Sequence, residues 1–64
     1  MKVYVMTKFK LFEDEIFVGV KRTKKEAFKT LREIFPFMRG NIEDNNLVSD
    51  AHSTWFLTIK EIDI

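Results

Sequence analysis

Between Thr23 and Phe35 the apolar residues Ala27, Phe28, Leu31, Ile34 and Phe35 recur at i, i+1, i+4, i+7 and i+8. That spacing places all five on one stripe of a 3.6-residue helix. Thr23-Lys24-Lys25-Glu26 opens the stretch as a capping box: the Thr23 hydroxyl can accept from the backbone N–H of Glu26, and the Glu26 carboxylate can reach back to the N–H of Thr23. Pro36 disfavours helical geometry at Phe35 and marks the far end. The pattern predicts one helix over residues 23–35, with an apolar stripe that needs a surface to cover.

On both sides of the helix the period falls to two. In residues 2–12, Val3, Val5, Thr7, Phe9 and Leu11 alternate with Tyr4, Met6, Lys8, Lys10 and Phe12, a density of β-branched and aromatic residues that suits a pleated surface. Glu13-Asp14-Glu15 is an acidic turn, and residues 16–21 alternate Ile16, Val18 and Val20 with Phe17, Gly19 and Lys21. The short turn makes these two strands an antiparallel hairpin. Beyond the helix, residues 36–46 form the longest loop, 47–50 a short third strand, 50–53 a turn and 54–62 a fourth strand, in which Trp55, Leu57 and Ile59 alternate with Phe56, Thr58, Lys60 and Ile62.

The order ββαββ predicts a single small α+β domain over residues 1–64: a four-stranded sheet with one helix on one face. Strands one and four carry the densest apolar runs and are expected as the central, parallel pair. The strand order is then 2-1-4-3, as in the β-grasp and the small immunoglobulin-binding domains, with an exchange of strands three and four as the main competitor. The simplest assignment turns Val3, Val5, Phe9, Ile16, Val18, Val20, Trp55, Leu57 and Ile59 toward the helix. It leaves Tyr4, Met6, Lys8, Phe17, Lys21, Phe56, Thr58, Lys60 and Ile62 on the outer face. Three aromatics and a methionine on an uncovered face suggest a binding or assembly surface.

Composition narrows the classes of function. Sixty-four residues bury only about 60% of their unfolded surface, so a chain of this size usually relies on a disulfide, a metal or oligomerisation. With no cysteine and one histidine, disulfides, thiolate metal sites and His-rich metal sites are excluded, and no cofactor is expected. Oligomerisation is the staple left open. No signal-peptide pattern or membrane-length apolar run is present, and the chain reads as a cytoplasmic protein, complete as given. The net charge is +1, but residues 21–32 hold six basic residues against Glu26 alone, giving the helix a basic back that reads as a solvated face.

Catalysis finds little support. Asp50, His52 and Ser53 fall within four residues, whereas a triad is assembled from separated elements, and Asp and Ser favour turns. The acidic turn lacks the spacing and glycine of a calcium loop. Gly19 and Gly40 are the only glycines, too few for a phosphate-cradling loop; Gly19 reads as a bulge or a close-packing point. Ile34-Phe35-Pro36-Phe37-Met38 either closes the open end of the core or offers an interaction hot spot.

Met1-Lys2-Val3-Tyr4-Val5, Val18-Gly19-Val20 and Thr23-Lys24-Lys25-Glu26-Ala27 resemble the M-K-V-Y-V strand, G-V strand and [ST]-K-E-x-A helix opening of a loose group of small uncharacterised bacterial and phage proteins. Leu47-Val48-Ser49-Asp50-Ala51 and Trp55-Phe56-Leu57-Thr58-Ile59 are similar to later stretches of the same group. The resemblance implies a compact accessory protein of a bacterium or its mobile elements, and it brings no catalytic residues to carry over. The expectation is a non-enzymatic interaction module with a protein partner, including a second copy of itself. It acts through Tyr4, Met6, Phe17 and Phe56 with Lys8 and Lys60, and takes neither a membrane nor a small-molecule substrate. The alternative is weak single-stranded nucleic-acid binding, with the aromatics stacking bases while Lys8, Lys10, Lys21 and Lys60 meet phosphates.

Overall fold

The computed structural model describes residues 1–64 except Ala51 and Ser53. The elements run β1 (Lys2–Phe9), β2 (Ile16–Lys21), α1 (Lys24–Ile34), β3 (Leu47–Val48) and β4 (Phe56–Asp63). They form one four-stranded sheet of order β2-β1-β4-β3, with α1 packed against β1, β2 and β4. The α+β class, the element order and the strand order are those that the sequence predicts.

The helix begins at its cap. Thr23 is extended, and its hydroxyl accepts from the Glu26 N–H at 3.1 Å. At the other end the Phe35 N–H still reaches the Leu31 carbonyl at 2.7 Å, and the Met38 N–H closes a turn on the Phe35 carbonyl at 3.0 Å. Ala27 and Leu31 are fully buried, while Phe28 and Phe35 pack at the margin of the core. Ile34 falls at the edge of the stripe and stays 51% exposed. Met6, Leu47, Leu57 and Ile59 complete the buried core, with Tyr4, Val18, Met38 and Trp55 packed around it. Of the apolar corner after the helix, Met38 folds under, whereas Phe37 remains 81% exposed.

Two expectations are corrected. First, the central pair β1–β4 is antiparallel, unlike the parallel central pair of a β-grasp. The cause is the segment after the helix. α1 leaves β2 at the Tyr4 end of the sheet and delivers the chain to the Trp55 end, near Lys8. Residues 39–46 then run back: Arg39 pairs antiparallel with Val48 through bonds of 2.8 and 2.9 Å, and Asn45 arrives beside Tyr4 and Glu61. That extra pass reverses β3 and β4. Gly40, at φ +114, makes the return possible, because a Cβ there would lie 2.5 Å from the Asn46 carbonyl oxygen.

Second, β1 presents the opposite faces. Tyr4, Met6 and Lys8 point to the helix side, each opposite Glu61, Ile59 or Leu57 of β4. Val3, Val5, Thr7 and Phe9 lie on the outer face, opposite Ile62, Lys60, Thr58 and Phe56. Alternation cannot decide between two faces that are both apolar; the register with β4 decides, because facing residues share a side. Val20 also lies outside, opposite Val5, and Lys21 lies on the helix side, opposite Tyr4. This follows from a bulge in β2 between its pairings with Met6 and Thr7, which inserts a residue and inverts the alternation. Gly19 sits at that bulge over Met6, and a Cβ on it would lie 2.9 Å from the Met6 methyl carbon, so it is both a bulge and a close-packing point.

The ends of the elements also shift. β1 stops at Phe9, not Phe12, because a turn closes from the Glu13 N–H to the Lys10 carbonyl at 3.1 Å, with Phe12 at φ 66. β4 begins at Phe56, after a turn in which the Asp50 carboxylate accepts from the N–H groups of His52 and Thr54, both at 3.0 Å.

Candidate interaction surface

With α1 on one side, no element among the described residues lies over the other side of the sheet. The register places Val3, Val5, Thr7 and Phe9 of β1, Phe17 and Val20 of β2, and Phe56, Thr58, Lys60 and Ile62 of β4 on this outer face. Phe17 is 66% exposed, and Val20 and Ile62 are also open to solvent. Phe9 and Phe56, directly opposite each other, stack with ring centroids 5.6 Å apart, a contact that stabilises the β1–β4 pair beyond area alone.

One ion pair lies across this surface. Lys60 donates to Glu15 at 2.6 Å, and its ammonium is the main reason the Glu15 carboxyl titrates below its ordinary value. Glu15 precedes β2 on one flank of β1, and Lys60 lies on β4 on the other. Lys60 faces Val5, while Glu15 adjoins Ile16, which faces Lys8. The bridge therefore runs diagonally over β1 at Thr7. Among the described residues no element covers Thr7, yet it is only 7% exposed, and its buried hydroxyl lies against the Glu15 carboxylate and helps Lys60 hold that carboxyl below its ordinary value. Together the two charges leave the face electrically neutral.

Of the six residues expected here from sequence, Phe17, Phe56 and Lys60 lie on the outer face, and Tyr4, Met6 and Lys8 do not. Met6 is core, 1% exposed. The Lys8 ammonium is 5.8 Å from the Phe35 ring and 4.8 Å from the Trp55 ring, and Lys10 also approaches Trp55 at 4.8 Å. The Tyr4 hydroxyl donates to Glu61 at 3.0 Å, and Lys2 reaches the other oxygen of that carboxylate at 3.4 Å. The same Tyr4–Glu61 bond raises the pKa of the phenol and lowers that of the carboxyl. The lysines and aromatics of the nucleic-acid reading are thus divided between two sides of the sheet. The residues that sequence reasoning missed are Val3, Val5, Phe9 and Val20; the glycine at position 19 was the one local signal for the bulge that exposes Val20.

Elsewhere, an open cavity of about 210 Å³ on the helix side is lined by Tyr4, Lys24, Asn45, Ile59 and Glu61. Among the described residues no group of three or more His, Asp or Glu side chains is placed to hold a metal ion. The bonds of Asp50 are those of a turn, with His52 exposed beside it; Ser53 lies outside the described residues. Among the described residues no helix is long and apolar enough to cross a membrane. No family model matches the chain, and neither curated proteins nor solved structures give a match.

Proposed function

We propose that this chain is a non-enzymatic accessory protein of a bacterium or phage, working in the cytoplasm as a protein-interaction module, and that its partner is a second copy of itself bound through the outer sheet face. The observation that carries the reading is the continuous set Val3, Val5, Phe9, Phe17, Val20, Phe56 and Ile62 on a side of the sheet that no element among the described residues covers. Such a face supports association because burying a large apolar side chain contributes about 1.5–3 kcal/mol. A second copy suits it on charge: Glu15 and Lys60 cancel, so two copies meet without net repulsion, and a two-fold contact needs only one self-complementary patch. Area sets the strength. β1 and β4 with 8 residues each and β2 with 6, spaced ~4.8 Å apart, give a flat face on the order of 350 Å². That lies at the small end of protein interfaces, which argues for a weak, reversible dimer.

Sedimentation velocity over a concentration series, wild type beside Phe17→Lys, tests this. The expected result is a concentration-dependent dimer for the wild type and a monomer for Phe17→Lys, which buries an unpaired charge in the apolar contact. A wild type that remains monomeric at millimolar concentration overturns the reading. A dimer that survives Phe17→Lys moves the contact to another surface.

A further inference from the structure

Given self-association through the outer face, on which this inference rests, we propose that the Glu15–Lys60 bridge is a strap that divides that face and limits its affinity for a second copy. The register defines the division. On one side of the diagonal lie Val3, Val5, Phe17, Val20 and Ile62; on the other lie the stacked rings of Phe9 and Phe56. Each half alone is a small patch, and the polar bridge between them, with Thr7 beneath it, interrupts the surface at its middle. A second copy docking over both halves must either bury the charged pair or push it aside. Burying an ion pair sets a large desolvation cost against the Coulombic attraction, and apolar replacements are often as stable or more so. Pushing the pair aside forfeits the 2.6 Å bond but uncovers Thr7 on β1, a central strand of the sheet, where its hydroxyl can meet a second copy instead of the Glu15 carboxylate.

The bridge therefore holds the face in a weakly associating form, and its loss joins the two halves. The same geometry gives the surface a means of control: whatever draws Lys60 or Glu15 away, such as a competing charge or modification of the Lys60 amine, favours assembly. Both side chains are about half exposed, so they are open to such competition.

The test compares dimer dissociation constants by sedimentation equilibrium for three proteins: wild type, the double variant Glu15→Ala/Lys60→Ala, and the exchanged pair Glu15→Lys/Lys60→Glu. Alanine at both sites removes the bridge without adding a large apolar group, and the exchanged pair rebuilds it with reversed polarity. The expected result is at least tenfold tighter association for the alanine variant and the wild-type constant for the exchanged pair, with circular dichroism confirming that all three fold. If the wild type dimerises but the alanine variant associates no more tightly, or more weakly, the strap is overturned while the outer-face contact stands. If the alanine variant tightens and the exchanged pair tightens with it, the bridge is not the cause and the strap is again overturned. If all three are monomers, the strap falls together with the dimer.

Discussion

Leu31→Ala measures how much of this small fold depends on one contact between helix and sheet. Leu31 is 0% exposed and belongs to the core with Met6, Leu57 and Ile59. The substitution removes three carbons, about 2.4 kcal/mol of transfer free energy at ~0.8 kcal/mol per methylene. The cavity left behind raises the loss into the range of about 2–5 kcal/mol. A chain of this length has roughly 3–10 kcal/mol of stability, at about 0.05–0.15 kcal/mol per residue, so the loss takes a large share of the whole. Urea denaturation followed by the fluorescence of Trp55, the single tryptophan, provides the assay. With a slope of ~1 kcal/mol per molar urea for a small protein, the midpoint falls by about 2 M or more, and the variant can be partly unfolded in buffer. Ile34→Ala on the same helix is the control: at 51% exposure it lowers stability by less than about 1 kcal/mol. Equal shifts for the two variants would refute the argument, because position 31 would then be no more core than position 34.

Three further outcomes are expected. Thr23→Ala removes the acceptor of the Glu26 N–H and lowers stability by ~1 kcal/mol, read in the same titration. Gly40→Ala forces a side chain into φ +114 and against the Asn46 carbonyl oxygen, costing at least the ~1–3 kcal/mol of backbone strain; a thermal midpoint equal to wild type would show that the 39–46 return does not run this way. Glu15 and Glu61 both titrate below the ordinary carboxylate range in the folded protein, held there by Lys60 and Tyr4. Their contribution to stability is therefore complete above about pH 5 and is lost as pH falls through the carboxylate range toward the folded values. Thermal midpoints from pH 7 to pH 3 should decline over that window, and the decline should be smaller in Lys60→Met than in wild type.

The helix was legible in the sequence because everything that defines it is local: the cap of Thr23, the spacing of Ala27 and Leu31, and the stop at Pro36 lie within fourteen consecutive positions. The strand order followed from which runs were most apolar. What failed was non-local. Nothing within residues 39–46 announces that they run back along the sheet; Asn41 and Asp44 bond to backbone N–H groups inside the loop, and turn residues of that kind fix local geometry without fixing direction. The two faces of β1 are nearly equal in hydrophobicity, so the pairing of Met6 with Ile59, far along the chain, decides which is buried. Of the residues expected on the outer side of the sheet, Phe17, Phe56 and Lys60 lie there while Tyr4, Met6 and Lys8 do not, and the residues that do line it are more apolar than those expected. The strap was not legible at all, because Glu15 and Lys60 stand 45 positions apart and meet only through the register of three strands.

The central claim is that the uncovered side of the sheet binds a second copy of the chain. Backbone amide NMR spectra of isotopically labelled protein, diluted stepwise from millimolar to micromolar, test it most directly, because they report which residues lose a neighbour. The account predicts concentration-dependent shifts concentrated at Val5, Thr7, Phe17, Val20, Phe56 and Ile62, with Ala27, Leu31 and the rest of α1 unchanged. Spectra that do not change on dilution, or shifts confined to α1 and the Phe37 corner, would contradict it.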